Sequence, residues 1–111
     1  MRQRTHRERL NINIPVRMPG DPDPLGHVAD ISLTGLSISG KGEVPAMPIR
    51  QLTLYLPWTI DGLREVDVSV ESRWQEYTGD GHWHAGFRIS SCPENQLVAL
   101  EQLVQRFGDS N

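Results

Sequence analysis

The sequence predicts an all-β domain finished by one C-terminal helix. Apolar residues recur at every second position through most of the chain, turn-forming residues break that alternation at short intervals, and only the last stretch switches to a helical period. With 111 residues, 37% of them hydrophobic and 23% charged, the chain has room for one compact domain and one core. Antiparallel strands at turn spacing followed by a single amphipathic helix imply a barrel or strongly curled sheet, with the helix on one opening or flank.

The first predicted strand alternates Leu10, Ile12, Ile14, Val16 and Met18 with Asn11, Asn13, Pro15 and Arg17, and Pro15 marks an edge or a bulge. Proline and glycine punctuate the stretch from Pro19 to Gly26, which makes it a loop. A second strand runs from about His27 to Ser32. It hands over through Leu33-Thr34-Gly35 to a third near Leu36–Ser39. After a loop over Gly40–Pro48, Leu52, Leu54 and Leu56 form a fourth strand closed by Pro57. Ile60-Asp61-Gly62 is a turn, and Val66, Val68 and Val70 open a long fifth strand running towards Trp74. Thr78-Gly79-Asp80-Gly81 turns the chain into a sixth, with Trp83, Ala85, Phe87 and Ile89 on one face and His82, His84, Gly86 and Arg88 on the other.

Leu97, Leu100, Leu103, Val104 and Phe107 fall on one side of a helix that begins at about residue 93. Ser91-Cys92-Pro93-Glu94 offers a capping box at its start, and Gly108 a left-handed stop at its end. The expected organisation is therefore a basic, flexible arm over residues 1–9 and a barrel domain over 10–108.

Net charge is −3, unevenly placed. Arg2, Arg4, Arg7 and Arg9 against Glu8 give residues 1–9 a balance of +3, leaving seven basic against thirteen acidic residues, −6, on the remainder. An acidic body argues against duplex DNA or RNA as a partner. Ten of the eleven basic residues are arginine, whose planar fork of donors grips phosphate in two places and stacks on a base. The arm suits a small, compact anion. The lone Cys92 forms no internal disulfide, and no segment reads as a transmembrane helix or secretory signal, so the expected compartment is the cytoplasm, without membrane insertion.

Asp30 and Ser32 stand two apart on one strand, which places both side chains on one face, and Gly35 lies in the turn that follows. A carboxylate accepts from the N–H donors on a guanine edge, a hydroxyl donates or accepts, and a glycine lets backbone approach a ligand. Alone, D-x-S-x-x-G is a short pattern that turns generate often, because Asp, Ser and Gly are all turn residues.

Its company makes it specific. The arginine arm, the strand Asn13-Ile14-Pro15-Val16-Arg17, the motif Asp30–Gly35, the strand Gly86-Phe87-Arg88-Ile89 and a final Leu-rich helix follow one another in the order of PilZ domains, and nearly the whole chain resembles that family. The resemblance implies a six-stranded antiparallel β-barrel with a C-terminal helix in a bacterial signalling protein. It also implies binding of cyclic di-GMP through R-x-x-x-R in the arm and D/N-x-S-x-x-G on the barrel. The ligand-binding residues it implies are Arg4, Arg7, Arg9, Asp30, Ser32 and Gly35. A non-enzymatic receptor that signals to a partner protein follows, needing no cofactor beyond that ligand.

The second motif is intact and the first is not. Counting back from Pro15-Val16-Arg17 puts Arg9 on the second arginine position and Thr5 on the first; matching Arg4-Thr5-His6-Arg7 to the basic cluster puts Arg7 on the second and Gln3 on the first. Arg4 is next to the missing position in either register. The rival expectation is an interaction module that keeps the barrel and has lost the nucleotide.

Other constellations are weaker. His82 and His84 share a strand face, with His27 or His6 as a third candidate, but two histidines without a convincing third and fourth ligand do not make a zinc site. Asp30, Ser32 and a histidine lack a nucleophile elbow or an oxyanion loop. The three tryptophans, Trp58, Trp74 and Trp83, read first as core or rim, and the two late in the barrel, Trp74 and Trp83, are also placed to stand beside a stacked base. Cys92 reads as a helix-start residue without a redox role.

Overall fold

In the computed structural model, which describes residues 13–107, six antiparallel strands close into a barrel. They are β1 (Pro15–Arg17), β2 (Gly26–Ile31), β3 (Gly35–Lys41), β4 (Gln51–Ile60), β5 (Leu63–Tyr77) and β6 (His82–Ser91). A single 3-10 turn over Glu94–Gln96 leads into α1 (Leu97–Phe107). Around the ring the order is β1-β2-β3-β6-β5-β4. This is the all-β barrel with one C-terminal helix that the sequence predicts. Arg2, Arg4, Arg7, Arg9, Leu10, Ile12 and Gly108 lie outside the described residues.

Alternation builds the core. Val16, Ile38, Leu52, Leu54, Leu56, Val66, Val68, Ala85 and Phe87 point into one buried cluster while their sequence neighbours face outward. The helix completes it with Ala99, Leu100 and Leu103. Contacts of α1 reach β2 and β5, which stand on opposite sides of the ring, so the helix spans one opening of the barrel and does not lie along a flank.

Several boundaries differ from the alternation pattern, each for a local reason. Of the long first segment only Pro15–Arg17 pairs as strand among the described residues, although Ile14 is buried and its carbonyl accepts from the Val28 N–H at 2.9 Å. Pro57 does not close β4. The strand continues to Ile60 through a register irregularity between Tyr55 and Ile60, where the missing proline N–H is tolerated.

At the helix start no capping box forms. Pro93 occupies the N-cap position without a side-chain hydrogen bond. The side chain of Gln96 ties this end down instead. Its Oε1 accepts from the Asp67 backbone N–H at 2.7 Å, and its Nε2 donates to the Asp67 carboxylate at 3.4 Å. Asp67 also accepts from the hydroxyl of buried Thr53 at 2.8 Å, so β4, β5 and the helix start meet at one carboxylate.

Candidate functional site

The outer face of β2, β3, β6 and β5 carries the candidate site, and one irregularity sets its register. Between Val28 and Asp30 the β2–β3 ladder shifts by a residue. His27 pairs with Ser39 and Val28 with Ile38; after the bulged Ala29, Asp30 pairs with Ser37 and Ile31 with Leu36. The bulge keeps His27 and Asp30 on one side of the sheet and turns Ile31 into the core, where it is almost fully buried.

Directly opposed residues share a face, so the pairing can be read across strands as rows. Asp30 opposes Ser37, Ser37 opposes Gly86, and Gly86 opposes Trp74. Within this row the Trp74 indole lies flat against the backbone of Gly86: a Cβ built there would sit 2.2 Å from the indole Nε1. Trp74 nevertheless remains 50% exposed, with the rest of its ring surface open to solvent. The row thus offers a carboxylate at one end, a hydroxyl in the middle and an aromatic ring at the other end.

On one side of it, Gly35 opposes Arg88 and Arg88 opposes Glu71. Arg88 Nη1 stands 3.3 Å from the Glu71 carboxylate, and Arg73 Nη2 3.9 Å from the same group, so two guanidinium groups flank one acid. On the other side, His27, Ser39 and His84 form the next row.

The three motif residues take different structural parts. Asp30 is exposed and makes no side-chain hydrogen bond or ion pair among the described residues. Ser32 lies just past the end of β2, in the turn, rather than on the strand beside Asp30. Its Oγ accepts from the backbone N–H groups of Thr34 and Gly35, both at 3.2 Å, while its own N–H donates to the Gly35 carbonyl at 2.8 Å. A serine placed here closes the chain reversal from within. Gly35 faces β6 so closely that a Cβ would approach the Phe87 carbonyl oxygen to 2.8 Å. The lack of a side chain at this position serves strand packing first.

Arg4, Arg7 and Arg9 lie outside the described residues. Trp83 is a core residue at 1% exposure, the first of its two expected parts, inward-facing with its ring against Gly40 and so not beside a stacked base. Trp58 is at the rim. Ser37, Arg88 and the stacking of Trp74 on Gly86 went unnoticed in the sequence. The outward set His82, His84, Gly86 and Arg88 held the signal for the last two, since a lone glycine on a strand face invites a neighbouring ring to lie on it.

Away from the platform, the β5–β6 turn is held by Asp80. Its carboxylate takes a hydrogen bond from the Thr78 hydroxyl and stands 3.3 Å from His82 Nδ1, and the Thr78 bond above all keeps it below the usual carboxylate range. Among the described residues no three His, Cys, Asp or Glu side chains gather as a metal site, and no helix is long and apolar enough to cross a membrane.

No curated protein and no solved structure is significantly similar to the chain. The sequence profile of the PilZ domain family matches residues 2–106. That match spans the described barrel and all but the last residue of its helix, and the D-x-S-x-x-G residues stand at the β2–β3 reversal with Asp30 turned to solvent. The chain belongs to the PilZ domain family.

Proposed function

We propose that this protein is a cyclic di-GMP receptor and adaptor, in which the nucleotide lies on the row Asp30–Ser37–Gly86–Trp74 and the N-terminal arginines close over it. The observation that carries this reading is the exposed Asp30 carboxylate, without a partner among the described residues, in one row with an aromatic ring whose exposed surface is open beside it. A carboxylate accepts from the edge of a guanine, and an indole held flat against backbone stacks on a purine face without losing further rotamer freedom. Membership of a family of cyclic di-GMP-binding adaptors supplies the ligand.

In this reading Arg4, Arg7 and Arg9 supply donors for the phosphodiester oxygens, with Arg9 or Arg7 in the second arginine position and Arg4 beside the missing first. Ser32 and Gly35 act by holding the turn that presents Asp30. Arm closure changes the surface seen by a partner protein in the cytoplasm of a bacterial cell, and no covalent chemistry is involved.

The irregular arginine spacing favours one alternative, an interaction module of the same fold without the nucleotide. Residue-resolved NMR titration with cyclic di-GMP separates the two. Saturable shifts at Asp30, Ser37, Gly86 and the Trp74 indole support the receptor. A folded protein with no shifts at saturating nucleotide establishes the module.

A further inference from the structure

Arg88 and Arg73 converge on one acceptor beside the platform. Arg88 is two residues from Gly86 on β6 and shares its outward face, so its side chain stands next to the row Asp30–Ser37–Gly86–Trp74. Arg73 precedes Trp74 on β5, within the register irregularity between Ser72 and Trp74. Arg88 Nη1 lies 3.3 Å from Glu71 Oε2 and Arg73 Nη2 3.9 Å from Glu71 Oε1, one nitrogen to each oxygen. The side chains of Arg88, Arg73 and Glu71 are 47%, 57% and 54% exposed, so all three are reached by solvent and by a ligand.

The cluster is an anion site filled by the chain's own carboxylate. A carboxylate and a phosphodiester present similar paired oxygens to a guanidinium fork. Exposed ion pairs contribute little to stability, so Glu71 gives way to a stronger acceptor at small cost. The two flanks of the row differ in this respect. On the Arg88 flank two guanidinium groups share the single carboxylate of Glu71. On the other flank His27, Ser39 and His84 end at Glu76, which opposes His84, and no arginine stands among them.

In a cyclic dinucleotide the phosphodiesters belong to the ring that joins the two bases. With one guanine at Asp30 and the other on Trp74, that ring lies over the middle of the row, at Ser37 and Gly86, alongside Arg88. We infer that Arg88, assisted by Arg73, grips a phosphodiester of the bound nucleotide and takes over the arginine position that the spacing of the arm leaves empty. Glu71 holds the place of the phosphate in the ligand-free protein and is exchanged for it on binding. This inference rests on the nucleotide reading above and names the phosphate contact within it.

The test is calorimetry of the full chain with cyclic di-GMP at two salt concentrations, joined to phosphorus NMR of the saturated complex. Arg88→Gln is expected to weaken binding by about tenfold and to flatten its salt dependence, because one guanidinium–phosphate contact is gone. Arg88→Lys should recover only part of the loss, since an ammonium keeps the charge without the fork. Glu71→Gln removes the competing carboxylate and is expected to bind more tightly than the parent chain. All of these side chains are exposed, and thermal melts verify that each variant folds.

Unchanged affinity and salt dependence in Arg88→Gln overturn the inference and leave the nucleotide reading standing. Binding by Glu71→Gln no tighter than that of the parent chain overturns the exchange, because a carboxylate that merely supports the arginines is not a placeholder. The phosphodiester resonance of the bound nucleotide is expected to differ between the parent chain and Arg88→Gln, and identical resonances overturn the contact. A folded parent chain that binds no cyclic di-GMP overturns the nucleotide reading and this inference with it, so the two failures are distinguishable.

Discussion

Trp74 lies on Gly86 so tightly that the indole occupies the space a Cβ would need, with 2.2 Å between that position and Nε1. Gly86→Ala is therefore expected to lift the ring off β6 while leaving the inward-facing Ala85 and Phe87 in place. Tryptophan fluorescence should report the altered environment, and cyclic di-GMP affinity should fall by about tenfold, the equivalent of one lost contact of roughly 1.4 kcal/mol. An unchanged affinity in a variant with an altered spectrum would remove Trp74 from the ligand site.

Asp30 and Ser32 should separate cleanly. Asp30→Ala removes an exposed group without a described partner, so stability is expected to stay within about 0.5 kcal/mol while nucleotide binding weakens at least about tenfold. Ser32→Ala removes the acceptor of two backbone N–H groups and should cost about 1 kcal/mol of stability. Urea melts paired with calorimetry check both. Equal stability losses in the two variants would contradict the assignment.

Gly35→Ala places a Cβ against the Phe87 carbonyl and is expected to destabilise the barrel by about 1–3 kcal/mol, with or without ligand. A thermal melt of the ligand-free protein decides it.

The helix should behave as part of the core. Leu103→Ala at a fully buried position is expected to cost about 2–5 kcal/mol. Gln96→Ala, which removes the tie to Asp67, should cost about 1 kcal/mol and raise amide exchange in the first turn of α1. Protection unchanged at Leu97 to Leu100 would show that packing alone holds that end.

Burial pushes the Cys92 thiol up, and the negative charge of Asp67 adds to the shift. The folded state therefore holds this proton more tightly than the unfolded chain. The associated stability is present below the ordinary thiol range and is lost as pH rises through the raised value. Since the thiolate is the nucleophile, alkylation by iodoacetamide at about pH 8 should be slower in the folded protein than in urea. Mass spectrometry at timed intervals reads the ratio, and equal rates would refute the shift.

Much of this architecture is legible in the residues themselves. The valines of β5 and the Trp83–Phe87 series of β6 alternate strictly, and their strands lie where that alternation puts them. Ala29 is where the simple period fails. Nothing in His27-Val28-Ala29-Asp30-Ile31 announces the bulge, yet strict alternation would turn Asp30 into the core and Ile31 to solvent. Burial of Ile31 decides the matter, a tertiary preference invisible along the strand. Pro57 misleads for the opposite reason, since a local rule for ending strands yields to the ladder with β5. The candidate site was half visible: the motif marks the β2–β3 turn, whereas the row from Asp30 to Trp74 exists only once four strands are in register.

Pro57 bears on how this barrel could grow. It stands within β4 and has no backbone N–H, so a strand laid along β4 at that point would find one rung of its ladder missing. The ring β1-β2-β3-β6-β5-β4 is closed, which gives each strand a partner within the chain and removes the free edges by which open sheets extend from one molecule to the next.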